Sequence, residues 1–303
     1  MKYFRFIFVF MVLGSHSFAQ TTDMVGTAST LPTEGFYTGD ALKNVSLDEM
    51  MAQVQPGTAL IIGEMHNLQP VRDQQMMILQ ALRQKGFKVS VGMEFFNYDD
   101  QALIQQYRLG QMAQSDFMTQ IGWGSYDFNL YKDQLLFPQT SNGEFGLGIN
   151  LSRSVTSAIS KKGLAALTEE QKNLLPPNFT VGRDSYRERF FTAMGYHGPV
   201  SSMLENYFVA QSAWDDTMAW QTVEFLKSNP DQVFVIVVGE FHVQYGGGTP
   251  DRLKARLQAE GLNHNIVTVS QIHTQGLTDT EIQAEMQPSA TEGPRADFIW
   301  LSK

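Results

Sequence analysis

The sequence predicts a three-layer α/β/α fold, with a mostly parallel central sheet covered by helices and a helical insertion late in the chain. Three observations lead there. Short unbroken apolar runs recur, as they do in strands buried on both faces. Helical segments alternate with those runs, and strand–helix alternation implies parallel pairing. The chain has 303 residues, 43% of them hydrophobic, which is enough for one large domain core.

Each element follows from its local pattern. Lys2 and Arg5 precede an eight-residue apolar run, Phe6 to Leu13, then Gly14 and the small-x-small site Ser17-Phe18-Ala19. This is the pattern of a cleavable export signal over residues 1–19, and eight residues fall short of the roughly 20 that a membrane-spanning helix needs. The expected location is therefore periplasmic or secreted. Residues 20–57, rich in Thr, Gly and Pro, form an N-terminal extension that reads as mostly linker-like. A single domain is expected over 58–303. Its strands are Thr58–Gly63, Phe87–Met93, Phe145–Ile149, Val233–Val238, Asn265–Val269 and Asp297–Leu301. Between the first two, Pro70 opens a helix and Gly86 ends it. A helical, aromatic segment fills 98–137. The insertion occupies about 152–229, and there Met203, Tyr207, Ala210, Trp214 and Met218 recur at helical spacing. Asp215 and Asp216 follow that stripe and read by default as a solvated face.

Composition removes several function classes. The net charge of −9 argues against a nucleic-acid partner or an anionic-membrane binder built on bulk charge. The absence of cysteine excludes disulfides, thiolate metal sites, Fe–S clusters and a cysteine nucleophile. It also excludes a lipid-anchored lipoprotein, which needs a cysteine to acylate. No G-x-S-x-G elbow supports serine catalysis.

One short pattern occurs twice. Gly63-Glu64-Met65-His66 follows the first strand and Gly239-Glu240-Phe241-His242 follows the fourth. Parallel strands deliver their carboxyl ends to one edge, where ligand crevices form. If the residues after the glycine stay extended, Glu and His at i and i+2 project to the same side. The second strand ends at Glu94, and Arg153 lies just beyond the third. Glu64, His66, Glu94, Glu240 and His242 are therefore the candidate catalytic or metal-binding set. Mixed carboxylate and imidazole donors suit Zn, Mn, Fe or Co, and they also suit acid/base work. A lone G-E-x-H often only caps a helix; two copies at strand ends, with Glu94 between them, point to a shared crevice.

At these residues the chain resembles the ChaN-like haem-binding uptake proteins of the Tiki superfamily. The likeness extends through Gly92-Met93-Glu94-Phe95-Phe96, Gln101-Ala102-Leu103, Gly122-Trp123, Asn150-Leu151-Ser152-Arg153 and Trp214-Asp215 to His242-Val243, Tyr245-Gly246 and Arg252-Leu253. It covers roughly residues 58–260. The resemblance implies haem bound at a homodimer interface through a tyrosine, in haem or iron uptake, with an outer-membrane haem receptor as a partner. The wider superfamily also implies an alternative, a metal-dependent hydrolase holding Mn, Zn or Co on the two G-E-x-H motifs. It further raises Asp215 as a support for a crevice histidine. Tyr245 and Tyr131 are the two candidate haem ligands, since phenolate is a hard donor suited to ferric iron. Lys132 and Arg153 are propionate partners on charge grounds. Trp123, Tyr126, Phe128, Tyr131 and Phe137 either wall a macrocycle or dock into the core.

Overall fold

The computed structural model describes residues 34–303; the expected export signal lies outside the described residues. The chain opens with β1 (Gly35–Thr38), β2 (Asn44–Val45) and α1 (Leu47–Met51). Then come β3 (Ala59–Glu64), α2 (Gln69–Gln84), β4 (Val89–Asn97), α3 (Gln101–Arg108), α4 (Gln114–Gln120), α5 (Asn129–Leu136) and β5 (Gly146–Asn150). The insertion holds α6 (Arg153–Lys162), α7 (Glu169–Asn173), α8 (Asp184–Ala193) and α9 (Ser202–Ser228). The chain closes with β6 (Val233–Gly239), α10 (Thr249–Ala259), β7 (Ile266–His273), α11 (Asp279–Met286) and β8 (Phe298–Ser302).

The eight strands form one sheet in the order β2-β1-β8-β7-β3-β6-β4-β5. The six strands from β8 to β5 pair in parallel, and they are the six that the sequence predicts, displaced by a few residues. Residues 35–51, expected to be linker-like, instead add β1 and β2 antiparallel at the β8 edge and the capped turn of α1. Four residues of β1 and two of β2 are too few for a period to show.

The apolar runs are unbroken because both sheet faces are covered. Leu60 and Ile62 of β3, with Val233, Val235 and Val237 of β6, face Ile78, Leu79 and Leu82 of α2. Their neighbours Ala59, Ile61, Phe234, Ile236 and Val238 face Met218 and Leu226 of α9 and Leu253 and Leu257 of α10. Alternate residues of one strand thus enter opposite cores. Gly86 ends the α2 segment as expected, at φ +86°, in the left-handed region that glycine enters freely. Among the described residues, no helix is long and apolar enough to cross a membrane.

The α9 stripe is wider than its periodicity implies. Met203 at its start is exposed, while Asp215 and Asp216 are buried. They are not a solvated face: Asp216 receives Arg256 of α10 through two bonds of 2.7 Å, and Asp215 turns into the strand-end crevice.

Candidate functional site

In parallel register β3 and β6 lie side by side, with Gly63 opposite Val238 and Glu64 opposite Gly239. The two G-E-x-H segments therefore meet at the carboxyl edge of the sheet. Their glycines are required by space, since neither has the left-handed backbone of a turn glycine. A Cβ on Gly63 would stand 2.4 Å from Glu240 Oε2, and one on Gly239 would stand 2.8 Å from His66 Cε1. Each motif leaves out a side chain where the other inserts one.

The copies then diverge. After Gly63 the strand continues through Glu64, so Glu64 and His66 fall on one side, with His66 Nδ1 2.9 Å from Glu64 Oε1. After Gly239 the chain tightens into a 3-10 turn over Glu240–His242. That turn breaks the i, i+2 alignment and sends the two side chains to different partners. Glu240 takes a 2.9 Å bond from Arg295 Nε and a 2.6 Å bond from Ser270 Oγ. His242 instead sits between two carboxylates, with Nδ1 2.7 Å from Asp215 Oδ1 and Nε2 3.4 Å from Glu94 Oε1.

Glu94 stands where the β4–β5 register shifts, and the Gly239 amide donates to its Oε2. Burial alone would raise its pKa, but His242, His66 and that amide hold it down at about 2. Burial likewise works against a charged His242, yet Glu94 and Asp215 push it up to about 10. His66, opposed by burial and favoured by Glu64 and Glu94, is raised as well. Burial pushes Glu240 up, against the pull of Arg295.

A pH dependence follows. His242 ordinarily titrates at 6.5, so its raised folded value gives stability that is full below pH 6.5 and lost as pH rises through about 10. Glu94 has a lowered value, so its contribution is full above 4.5 and lost only as pH falls through about 2. The urea midpoint should stay high near pH 6 and decline steadily towards pH 10. A His242→Gln variant should show a flatter alkaline limb, and equal slopes for the two proteins would contradict the assignment.

Supporting residues outside the two motifs complete the crevice. Asp215 also accepts from Tyr186 Oη at 2.8 Å and Thr249 Oγ1 at 3.1 Å, and Gln211 Nε2 lies 3.2 Å from His242 Nδ1. Gln75, within the buried stripe of α2, donates to Glu64 Oε2 at 2.6 Å and to Gln271, and it accepts from Gln134. Sequence reasoning missed Gln75, Gln211 and Tyr186; Gln75 carried a signal, a polar residue at apolar spacing between Val71 and Ile78.

The aromatic segment divides between the two roles open to it. Phe128 and Tyr131 are buried in the core, while Trp123 and Tyr126 are half-buried beside the crevice. Phe95 and Tyr126 stand 5.3 and 5.2 Å from the His66 ring. Phe137 lies elsewhere, under Arg83. Tyr131 forms part of the crevice floor: its hydroxyl accepts from the Asn67 amide at 2.8 Å, and burial together with Glu64 pushes its pKa strongly upward. Tyr245 is half-buried at φ 56°, its ring 5.2 Å from the Arg189 guanidinium. Arg153 is exposed at the start of α6, facing the Gly124 loop. Lys132 donates to Asn129 of its own helix at 3.4 Å. His264 and His273 bond to Gly57 O and Ser302, in keeping with structural roles.

Four of the five candidate residues, Glu64, His66, Glu94 and His242, thus converge, and Glu240 does not. Among the described residues no group of three or more His, Asp or Glu side chains is arranged to hold a metal ion. The expected Zn, Mn or Co shell is not formed, because His242 commits both nitrogens to carboxylates and Glu240 is drawn to Arg295.

No curated protein matches the chain. A solved structure described as cofacial haem binding to ChaN of Campylobacter jejuni is similar in fold, with a TM-score of 0.63 at 16% identity over 88% of this chain and 96% of that one. The type III effector HopBA1 gives a TM-score of 0.43 at 13% identity over 80% and 86% of the two chains. An erythromycin esterase, EreC, gives 0.42 at 12% identity over 78% and 72%. The model for the family described as haem-binding uptake, Tiki superfamily, ChaN matches residues 50–253. With its three-layer fold and paired strand-end motifs, the chain belongs to this ChaN family of the Tiki superfamily.

Proposed function

We propose that this chain is exported and binds ferric haem at the strand-end crevice, as a carrier in haem or iron uptake. The observation that carries the reading is the wall of Phe95, Trp123 and Tyr126 around His66, in a chain of the haem-binding uptake family. Aromatic faces suit an apolar macrocycle, and the exposed Arg153 beside that wall suits its propionates. Lys132, a neighbour of Tyr131, is the second propionate candidate. The ChaN of Campylobacter jejuni binds haem cofacially, which supports a paired arrangement of two copies of this chain. Delivery to or from an outer-membrane haem receptor is the corresponding partner role.

Tyr245 is the phenolate donor in this reading. Tyr131 has its hydroxyl enclosed by Asn67 and Glu64, so deprotonation there is opposed by burial and by a neighbouring negative charge. Tyr245 lies beside the Arg189 cation instead. Hemin added to the purified chain should give a shifted Soret band that saturates at a stoichiometric ratio. Tyr245→Phe should weaken binding about tenfold or more, roughly 1.4 kcal/mol. A wild-type chain that leaves the hemin spectrum unchanged overturns the reading.

A further inference from the structure

The short turn that carries Tyr245 (Gln244–Gly246) is held by residues remote from it in the chain. Tyr245 lies at φ 56° and ψ 27°, a left-handed region that Asn67 and Asn178 enter readily and a tyrosine does not. Such a conformation persists where its surroundings over-determine it. Here both backbone groups are engaged: the amide donates to Arg295 O at 2.7 Å, and the carbonyl accepts from Arg183 Nη2 at 2.6 Å. The preceding carbonyl, of Gln244, accepts from Arg189 Nη2 at 2.7 Å.

The two arginines end on one carboxylate oxygen. Glu292 Oε2 accepts from Arg183 Nη2 at 3.0 Å and from Arg189 Nη1 at 2.6 Å, and its side chain is 11% exposed. A closed turn presents Glu292: Ser289 and Gly293 exchange backbone bonds of 2.8 and 2.9 Å, and the Glu292 amide donates to Ser289 Oγ at 3.2 Å. Asp251 of α10 fixes Arg183 further. The Arg189 guanidinium lies over the rings of Tyr186, Phe241 and Tyr245, at 5.2, 5.4 and 5.2 Å. The glycines after Tyr245 make room for this clasp. A Cβ on Gly247 would stand 2.8 Å from Arg189 Nη2, and one on Gly248 would stand 2.7 Å from Asp215 Oδ1. Without the carboxylate, the two guanidinium groups would lose the charge that aims them at the turn carbonyls.

We propose that Glu292 is a positioning residue for Tyr245: through Arg183 and Arg189 it sets the direction of the phenol before ferric haem arrives. The proposal rests on the haem reading above, with Tyr245 as donor, and adds to it a residue outside the family-matched span 50–253. A donor fixed in advance avoids the ordering cost that a glycine-rich turn would otherwise meet on binding.

Two readouts test it, one of them without haem. In the full chain labelled with fluorotyrosine, the Tyr245 fluorine resonance is the line lost in Tyr245→Phe. Glu292→Ala should shift or broaden that line while far-UV circular dichroism stays that of the wild type. Glu292→Gln should restore it, since an amide oxygen still accepts from both arginines. With hemin, Glu292→Ala should weaken the phenolate-to-iron charge-transfer band and bind about tenfold more weakly, as when a partner that orients a metal ligand is removed. Arg183→Met, at a side chain 34% exposed, is the second variant if the alanine chain does not fold, and it should move the same line and band. A Tyr245 line, or a hemin band and affinity, that both replacements leave unchanged overturns the positioning role. A wild-type chain that binds no hemin, or binds it equally well after Tyr245→Phe, overturns the haem reading instead, so the two failures are distinct.

Discussion

Asp215→Ala should lower the unfolding free energy by about 3–5 kcal/mol, the usual cost of removing one partner from a buried ion pair. The reason is local. Asp215 is 1% exposed and accepts from His242, Tyr186 and Thr249, so its loss leaves three buried donors without an acceptor. It also leaves His242 with Glu94 as its remaining carboxylate. Asp215→Asn keeps the shape and should cost less, while moving the alkaline loss of stability to lower pH. Urea unfolding at pH 6 reads both, and a change below about 1 kcal/mol for the alanine variant would falsify the ion-pair account.

Arg295→Met should be comparably damaging, again by about 3–5 kcal/mol. Arg295 is 5% exposed and bridges Glu240, Ser270 and Glu285. Glu240 Oε2 already lacks a hydrogen-bond partner, so without the guanidinium an ionised Glu240 would be a buried, uncompensated charge. The double variant Arg295→Met with Glu240→Gln should recover much of the loss, because both charges leave together. Strictly additive costs in that cycle would show that the two residues do not interact.

The same two clusters show where sequence reading succeeded and where it stopped. Six parallel strands were legible because doubly buried strands leave continuous runs such as Val233–Val238. The meeting of His66 and His242 near Glu94 was legible because parallel strands end on one edge. The divergence of Glu64 and Glu240 was not, because a 3-10 turn after Gly239 and an extended strand after Gly63 are written with the same four-letter pattern. Arg295, which decides where Glu240 goes, lies 55 residues further along the chain.

By itself, the amino-acid order determined the layers, the parallel core, the paired motifs and the family likeness, since these rest on short-range periodicity and on residues close together in the chain. The tertiary structure decided which acids face which bases. It buried Asp215 against His242, turned Glu240 to Arg295 and set His66 against Glu64, because hydrogen-bond partners of buried charges are chosen by spatial neighbours that no local pattern specifies.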